Sequence, residues 1–409
     1  MSEGGAEASD PGDPESPGPA QRVPPEGGAE GERRKGGRPV GRGRPRGAAS
    51  SAPYGGGTPE PAADPVLVFD GHNDTVLDLL LREGTPRERS FLRRSEEGHV
   101  DLPRAREGGL AGGFFSVFVP ALEPAPPPAP VPKNASFPPL DPRHAAAFAE
   151  RMVARLRRLE GESAGALRVV ASVRQLEECM QAGGLAAILH FEGAEPLDPS
   201  LSSLEDWHER GLRSLGITWS RDNAFGHGVP FRYPSTPDTG PGLTEAGRTL
   251  VGRCEQLGIL IDLAHLNERG FWDVAELTER PLVVTHAGAH ALCPASRNLT
   301  DRQLDAVAAS GGVVGVVFAA AFLRADGCEN ADTPVSRIAE HVLYMVERIG
   351  AEHVALGSDF DGALIPRTLG GVAGLPHLLD ALRAGGLGEA DLERIAWRNW
   401  PRVLRDWWG

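Results

Sequence analysis

Short runs of β-branched and aromatic residues recur eight times between residues 66 and 360, with stretches of helical periodicity between most of them. Strands and helices in alternation call for a parallel sheet, because parallel neighbours need a crossover of a dozen or more residues. The runs are VLVFD (66–70), GFFSVFV (113–119), AAILHF (186–191), RSLGITW (213–219), GILIDLA (258–264), LVVTH (282–286), GVVGVVF (312–318) and HVALGSDF (353–360). Residues 144–159, 243–257, 301–309 and 336–349 read as helices. Eight repeats predict an α/β chain closed into a (β/α)8 barrel of the TIM type, whose functional groups gather at the C-terminal ends of the strands. A Pro-rich insert (120–142) and a Gly/Pro loop (221–242) break the rhythm, both after strands at that end. Loops of this length in a compact domain are commonly lids or binding loops.

Residues 1–64 are rich in Gly, Pro, Ala, Glu and Arg and carry almost no large apolar side chains, so they read as a disordered tail before a folded domain of residues 65–409. Within the tail, Arg42-Gly43-Arg44-Pro45 is similar to the AT-hook core that enters narrow minor grooves. Four residues in so biased a segment specify no nucleic acid, and a solvated tail is the reading adopted. A net charge of -14 likewise argues against nucleic acid or an anionic membrane as partner, leaving a small molecule. The longest apolar run, 312–321, falls short of the roughly 20 residues a bilayer needs. The first residues show neither the basic nor the apolar region of a secretory signal, so no membrane association and a cytoplasmic location are expected. Cys179, Cys254, Cys293 and Cys328 are too far apart in sequence for a CxxC zinc clip or redox pair.

The histidines and acids fall at the ends of the predicted strands. The first strand runs into Asp70-Gly71-His72-Asn73-Asp74, the third into His190-Phe191-Glu192, the fifth into Asp262-Leu263-Ala264-His265, the sixth into Thr285-His286, and the eighth into Ser358-Asp359-Phe360-Asp361. His72 and Asp74 are two apart, so on an extended chain they point to the same side. Imidazole and carboxylate suit zinc in an open, water-bearing site, and a carboxylate can bridge two cations. One such histidine alone would more often be a hydrogen-bonded structural residue; five strands aiming ligands at one rim point to a metal centre. His190 shares a face with Glu192 one layer deeper, where packing is its expected role, and His227, His290 and His353 are read the same way.

FDGHND, the Glu-Gly of LHFEGAEPL, ILIDLAH, VVTHAGAHALCPASRN and GSDFDG resemble, in order and approximate spacing, the motifs of the membrane (renal) dipeptidases, the M19 metallopeptidases of the metal-dependent hydrolase superfamily. HVDLPRAREGGL (99–110) and RNWPRVL (398–404) extend the likeness across 66–404, and the chain looks like a bacterial-type member with an N-terminal extension. The resemblance implies hydrolysis of dipeptides, including those with a C-terminal D-residue, by a hydroxide bridging two zinc ions. It implies that His72 and Asp74 hold the first zinc, that Glu192 bridges, and that His265 and His286 hold the second. Asp359 corresponds to the acid/base and Arg297 to the arginine that takes the substrate's terminal carboxylate. Asp361 would share a face with Asp359 on a continuing strand, but Gly362 signals a turn, and Asp359 is preferred. One position departs from the family: Trp219 stands where relatives carry a histidine that helps bind the scissile peptide oxygen. Zinc, or a neighbour such as Asn223, would then carry that task. The departure leaves another small amide or amino-acid conjugate as an alternative substrate. A non-catalytic barrel is a third reading, against which the complete ligand set stands. Cys293 and Cys328 resemble a disulfide pair of secreted relatives; in a cytoplasmic chain two thiols are expected. The expected partner is a small peptide, and a homodimer is compatible with everything above.

Overall fold

The computed structural model describes residues 66–121 and 134–409. The N-terminal tail with its Arg42-Gly43-Arg44-Pro45 string lies outside those residues, as do positions 122–133 of the Pro-rich insert. Eight parallel strands form the barrel: β1 (Val68–Asn73), β2 (Leu110–Val117), β3 (Leu185–Glu192), β4 (Leu212–Gly216), β5 (Leu260–Asp262), β6 (Val283–Ala287), β7 (Val313–Val316) and β8 (Val354–Leu356). Hydrogen bonding runs in the order β2-β1-β8-β7-β6-β5-β4-β3, and β3 pairs back onto β2 to close the ring. The predicted (β/α)8 architecture is what the chain adopts.

All four helices read from the sequence form, as Pro142–Glu162, Glu245–Leu257, Asp301–Ala309 and Ser336–Ile349. Their starts are locally encoded. The Asp141 carboxylate accepts from the amides of Arg143 and His144, Thr244 accepts from Gly247, and Thr300 forms a reciprocal capping box with Gln303. A short strand absent from the sequence reading, Leu167–Val169, pairs with the first residues of β3 at the rim opposite the site.

Two departures from expectation matter for the site. β5 and β8 are shorter than the apolar runs that announced them, and three residues past their ends the backbone turns left-handed, at His265 (φ 64°) and Asp359 (φ 60°), and again at Asp361 (φ 66°). Such dihedrals in side-chain-bearing residues cost roughly 1–3 kcal/mol each and cluster at functional sites. The two inserts are also not free loops. Asn134–Ala135 pairs antiparallel with Phe231–Arg232, and Phe137 bridges to Arg221, so the inserts are tied together across the mouth of the barrel. Among the described residues no helix is long and apolar enough to cross a membrane, and Cys179, Cys254 and Cys328 are free thiols.

Candidate metal centre

β1 delivers His72 and, one residue past its end, Asp74; β3 delivers Glu192, the turn after β5 delivers His265, and β6 delivers His286. Their ligand atoms fall into overlapping groups, His72–Asp74–Glu192 and Glu192–His265–His286, each with its atoms within 4.8 Å of one another. His72 Nε2 lies 3.5 Å from both Asp74 Oδ2 and Glu192 Oε2. On the other side Glu192 Oε1 is 3.0 Å from His265 Nε2 and 3.8 Å from His286 Nε2. Glu192 therefore turns one carboxylate oxygen to each group. A third group joins Asp359 to His72 and His286.

The donor set fits cations. All five side chains are buried, yet neither ring nitrogen of His72 has a hydrogen-bond partner, an arrangement that costs free energy unless something else takes the lone pair. His265 Nε2 and His286 Nε2 face each other at 3.0 Å while their Nδ1 atoms are engaged elsewhere: His265 with Ser220 Oγ at 2.7 Å, His286 with Thr285 Oγ1 at 2.9 Å. Among the described residues no arginine or lysine forms an ion pair with Asp74 or Glu192. Burial opposes charge on His72, but the Glu192 and Asp74 carboxylates outweigh it and hold that imidazole well above its ordinary range. Burial, with Arg297 and His72 nearby, pushes His265 and His286 well below theirs, leaving them neutral, while a cation bound between the carboxylates would displace the proton they favour on His72.

Asp359 sits at the more open side of the cluster. Desolvation pushes its carboxyl up to about 7, with His72 opposing and the Asp74 and Glu192 charges adding to the rise. Asp361 has a different occupation: its carboxylate accepts from Arg89 at 3.1 Å, Thr75 Oγ1 at 2.9 Å and the His99 amide at 2.5 Å, pinning the loop to the first helical turn. Gly362 passes so close to the Asp74 and Asp359 carboxylates that a methyl group there would collide with both.

Arg297 is buried at the site and not on the surface. Its Nε lies 3.1 Å from His265 Nδ1 and its Nη2 donates to the His286 carbonyl at 2.8 Å; burial brings its pKa down to about 10 against the pull of Asp262, Asp359 and Glu192. Trp219 faces the mouth, with its ring 5.6 Å from that of His265. Asn223, expected as a substrate donor, is engaged with its own loop. Its Nδ2 donates to the Ile217 carbonyl and its Oδ1 accepts from the amides of Phe225 and Gly226, which shapes the loop and leaves one N–H of the amide to spare. His190 lies under the cluster, bonded to Ser214 Oγ at 2.9 Å. His227 pairs with Asp222, while His290 and His353 bond backbone carbonyls.

Sequence reasoning passed over the hydroxyls behind the ligands. Ser116 donates to Asp74, Ser220 meets His265, and Thr285 stands between His286 and Asp262. The one available signal was their position, each adjacent to a ligand, on a neighbouring strand or just past the end of one at the same rim.

The model of the membrane dipeptidase family, peptidase family M19, matches residues 63–407. The chain is 45% identical to a solved metallopeptidase of that family, dipeptidase AC, with a TM-score of 0.79 over 84% of this chain and 99% of that one. It is 44% identical to a Rhodobacter sphaeroides metallopeptidase solved with a phosphinate mimic of the dipeptide L-Ala-D-Ala, with a TM-score of 0.79 over 84% of this chain and all 100% of that one. A Klebsiella pneumoniae protein from the pqqA 5' region, uncharacterised, is 48% identical over 63% of this chain and 95% of its own length. By sequence and architecture the chain belongs to the membrane dipeptidase family and is a metallo-dipeptidase.

Proposed function

We propose that this chain hydrolyses dipeptides with two zinc ions, one held by His72 and Asp74, the other by His265 and His286, with Glu192 shared between them. The supporting observation is the convergence of these five side chains, from separate stretches of sequence, into two groups joined through one carboxylate. Zinc bound there would supply the Lewis acidity that polarises a scissile carbonyl and lowers the pKa of the attacking water. Asp359, beside His72 and His286, takes the proton of that water and returns it to the leaving amine. Arg297 offers a planar, permanently charged donor to the substrate's terminal carboxylate. The ligand of the Rhodobacter sphaeroides relative mimics a dipeptide ending in a D-residue, which supports including such substrates here.

The test measures zinc content and turnover of L,L and L,D dipeptides on the same sample. About two zinc ions per chain and hydrolysis of both classes are expected. Asp359→Asn should keep its zinc while kcat drops about a hundredfold to ten-thousandfold, the usual worth of a general acid/base; His265→Ala should lose metal as well as activity. Full turnover by Asp359→Asn would remove that residue from its role.

A further inference from the structure

Ten of the fourteen phenylalanines are almost wholly buried, and the four that are not, Phe118, Phe137, Phe231 and Phe322, all belong to one cluster around Trp219 at the mouth of the site. Trp219 lies 5.0 Å from Phe118, 4.5 Å from Phe137 and 5.6 Å from Phe231, and Phe231 lies 5.3 Å from Phe322. Partly exposed aromatic area gathered into one contiguous patch marks a binding groove, whereas single exposed apolar residues do not. The wall is built in advance of any ligand. The pairing of Asn134–Ala135 with Phe231–Arg232 and the bridge from Phe137 to Arg221 hold the rings from both inserts. Behind them the Arg221 guanidinium lies 5.1 Å from the Phe118 and Trp219 rings, itself buried and fixed by Glu195 at 2.8 Å and the Val119 carbonyl at 2.6 Å.

The wall has a direction. Trp219 and Phe231 rest against the ring of His265, at 5.6 and 6.3 Å, and Phe322 lies 6.0 Å from the Arg297 guanidinium. A dipeptide with its terminal carboxylate at Arg297 and its peptide carbonyl at the metal centre must run its C-terminal residue along these rings. We infer that this aromatic wall selects dipeptides whose C-terminal side chain is large and apolar, with Trp219 acting as a specificity residue where an imidazole would have been a polar one. The inference rests on the dipeptidase reading and on Arg297 as carboxylate anchor.

Steady-state kinetics of the zinc-loaded enzyme on Ala-Ala, Ala-Leu, Ala-Phe, Ala-Asp and Phe-Ala test it. Burial of a leucine- or phenylalanine-sized side chain against the wall predicts kcat/KM on the order of tenfold to a hundredfold higher for Ala-Leu and Ala-Phe than for Ala-Ala or Ala-Asp. Phe137→Ala and Trp219→His should each shrink that ratio at least about fivefold, mainly through KM. Equal kcat/KM for Ala-Phe and Ala-Ala, a preference for Phe-Ala alone, or ratios unmoved in both variants would overturn the inference. Calorimetric titration of zinc-loaded Asp359→Asn with the same peptides separates the two readings. Tighter binding of Ala-Phe than Ala-Ala without turnover by the unsubstituted enzyme would keep the wall and discard the dipeptidase; turnover with no difference in binding would do the reverse.

Discussion

Thr285 has a single hydroxyl hydrogen, and the Asp262 carboxylate 2.6 Å away takes it, since Asp262 also accepts from the Thr285 and Ala264 amides and has no proton to give when ionised. Thr285 Oγ1 can then only accept from His286 Nδ1, at 2.9 Å, which leaves the lone pair of His286 on Nε2, toward Glu192. One hydroxyl thereby sets the tautomer of a ligand. Thr285→Val keeps the shape and removes the acceptor, so zinc affinity measured by chelator competition should fall about tenfold to a hundredfold, and Thr285→Ser should restore it. Unchanged affinity in the valine variant would show that the tautomer is set by something else. At this scale the ligands were legible because histidine and carboxylate are uncommon at strand ends. The hydroxyls were not, because Ser and Thr are ordinary strand residues whose partners lie elsewhere in the chain.

Elements announced by local periodicity and capping residues formed where they were expected; elements that depend on distant partners did not show. The ribbon between the inserts joins Asn134 to Arg232, a pairing with no local signature, and the left-handed residues just beyond β5 and β8 are a feature that an apolar run cannot reveal. Helix Ser336–Ile349 carries an element-scale consequence of its own. Its buried His341 accepts from the Ala289 amide at Nδ1 and faces the Leu323 carbonyl with Nε2, both at 3.0 Å, which fits a neutral ring. Burial brings its pKa down to about 4. With the folded value below the unfolded value of about 6.5, the unfolded chain binds the extra proton between them, so stability rises with pH across that window. The contribution is fully present above about pH 6.5 and lost as pH falls to about 4, in all about 3 kcal/mol. Thermal midpoints between pH 4 and 7 should therefore fall less steeply for His341→Gln than for the unsubstituted protein, and parallel slopes would refute the account.

For the molecule as a whole, the ring of strands brings ligands from β1, β3, β5 and β6 together, so binding of cations is coupled to the stability of the closed barrel. A ligand present at about a thousand times its dissociation constant adds about 4 kcal/mol to the folded state. Chelation should lower the thermal midpoint and zinc should restore it, with no such response in a His265→Ala, His286→Ala double variant; a midpoint indifferent to chelation would separate the cluster from metal binding. The chain by itself determined the strand–helix alternation, the position of each candidate ligand and the family likeness, because these rest on side-chain chemistry and on periodicities a few residues long. Only the closed structure decided which oxygen of Glu192 faces which histidine, why Asp359 and not Asp361 meets the cluster, that Asn223 serves its own loop, and that Trp219 joins an aromatic wall at the mouth. Those outcomes depend on ring closure, on backbone dihedrals just past strand ends, on side-chain hydrogen bonds within a loop, and on packing between segments far apart in the chain.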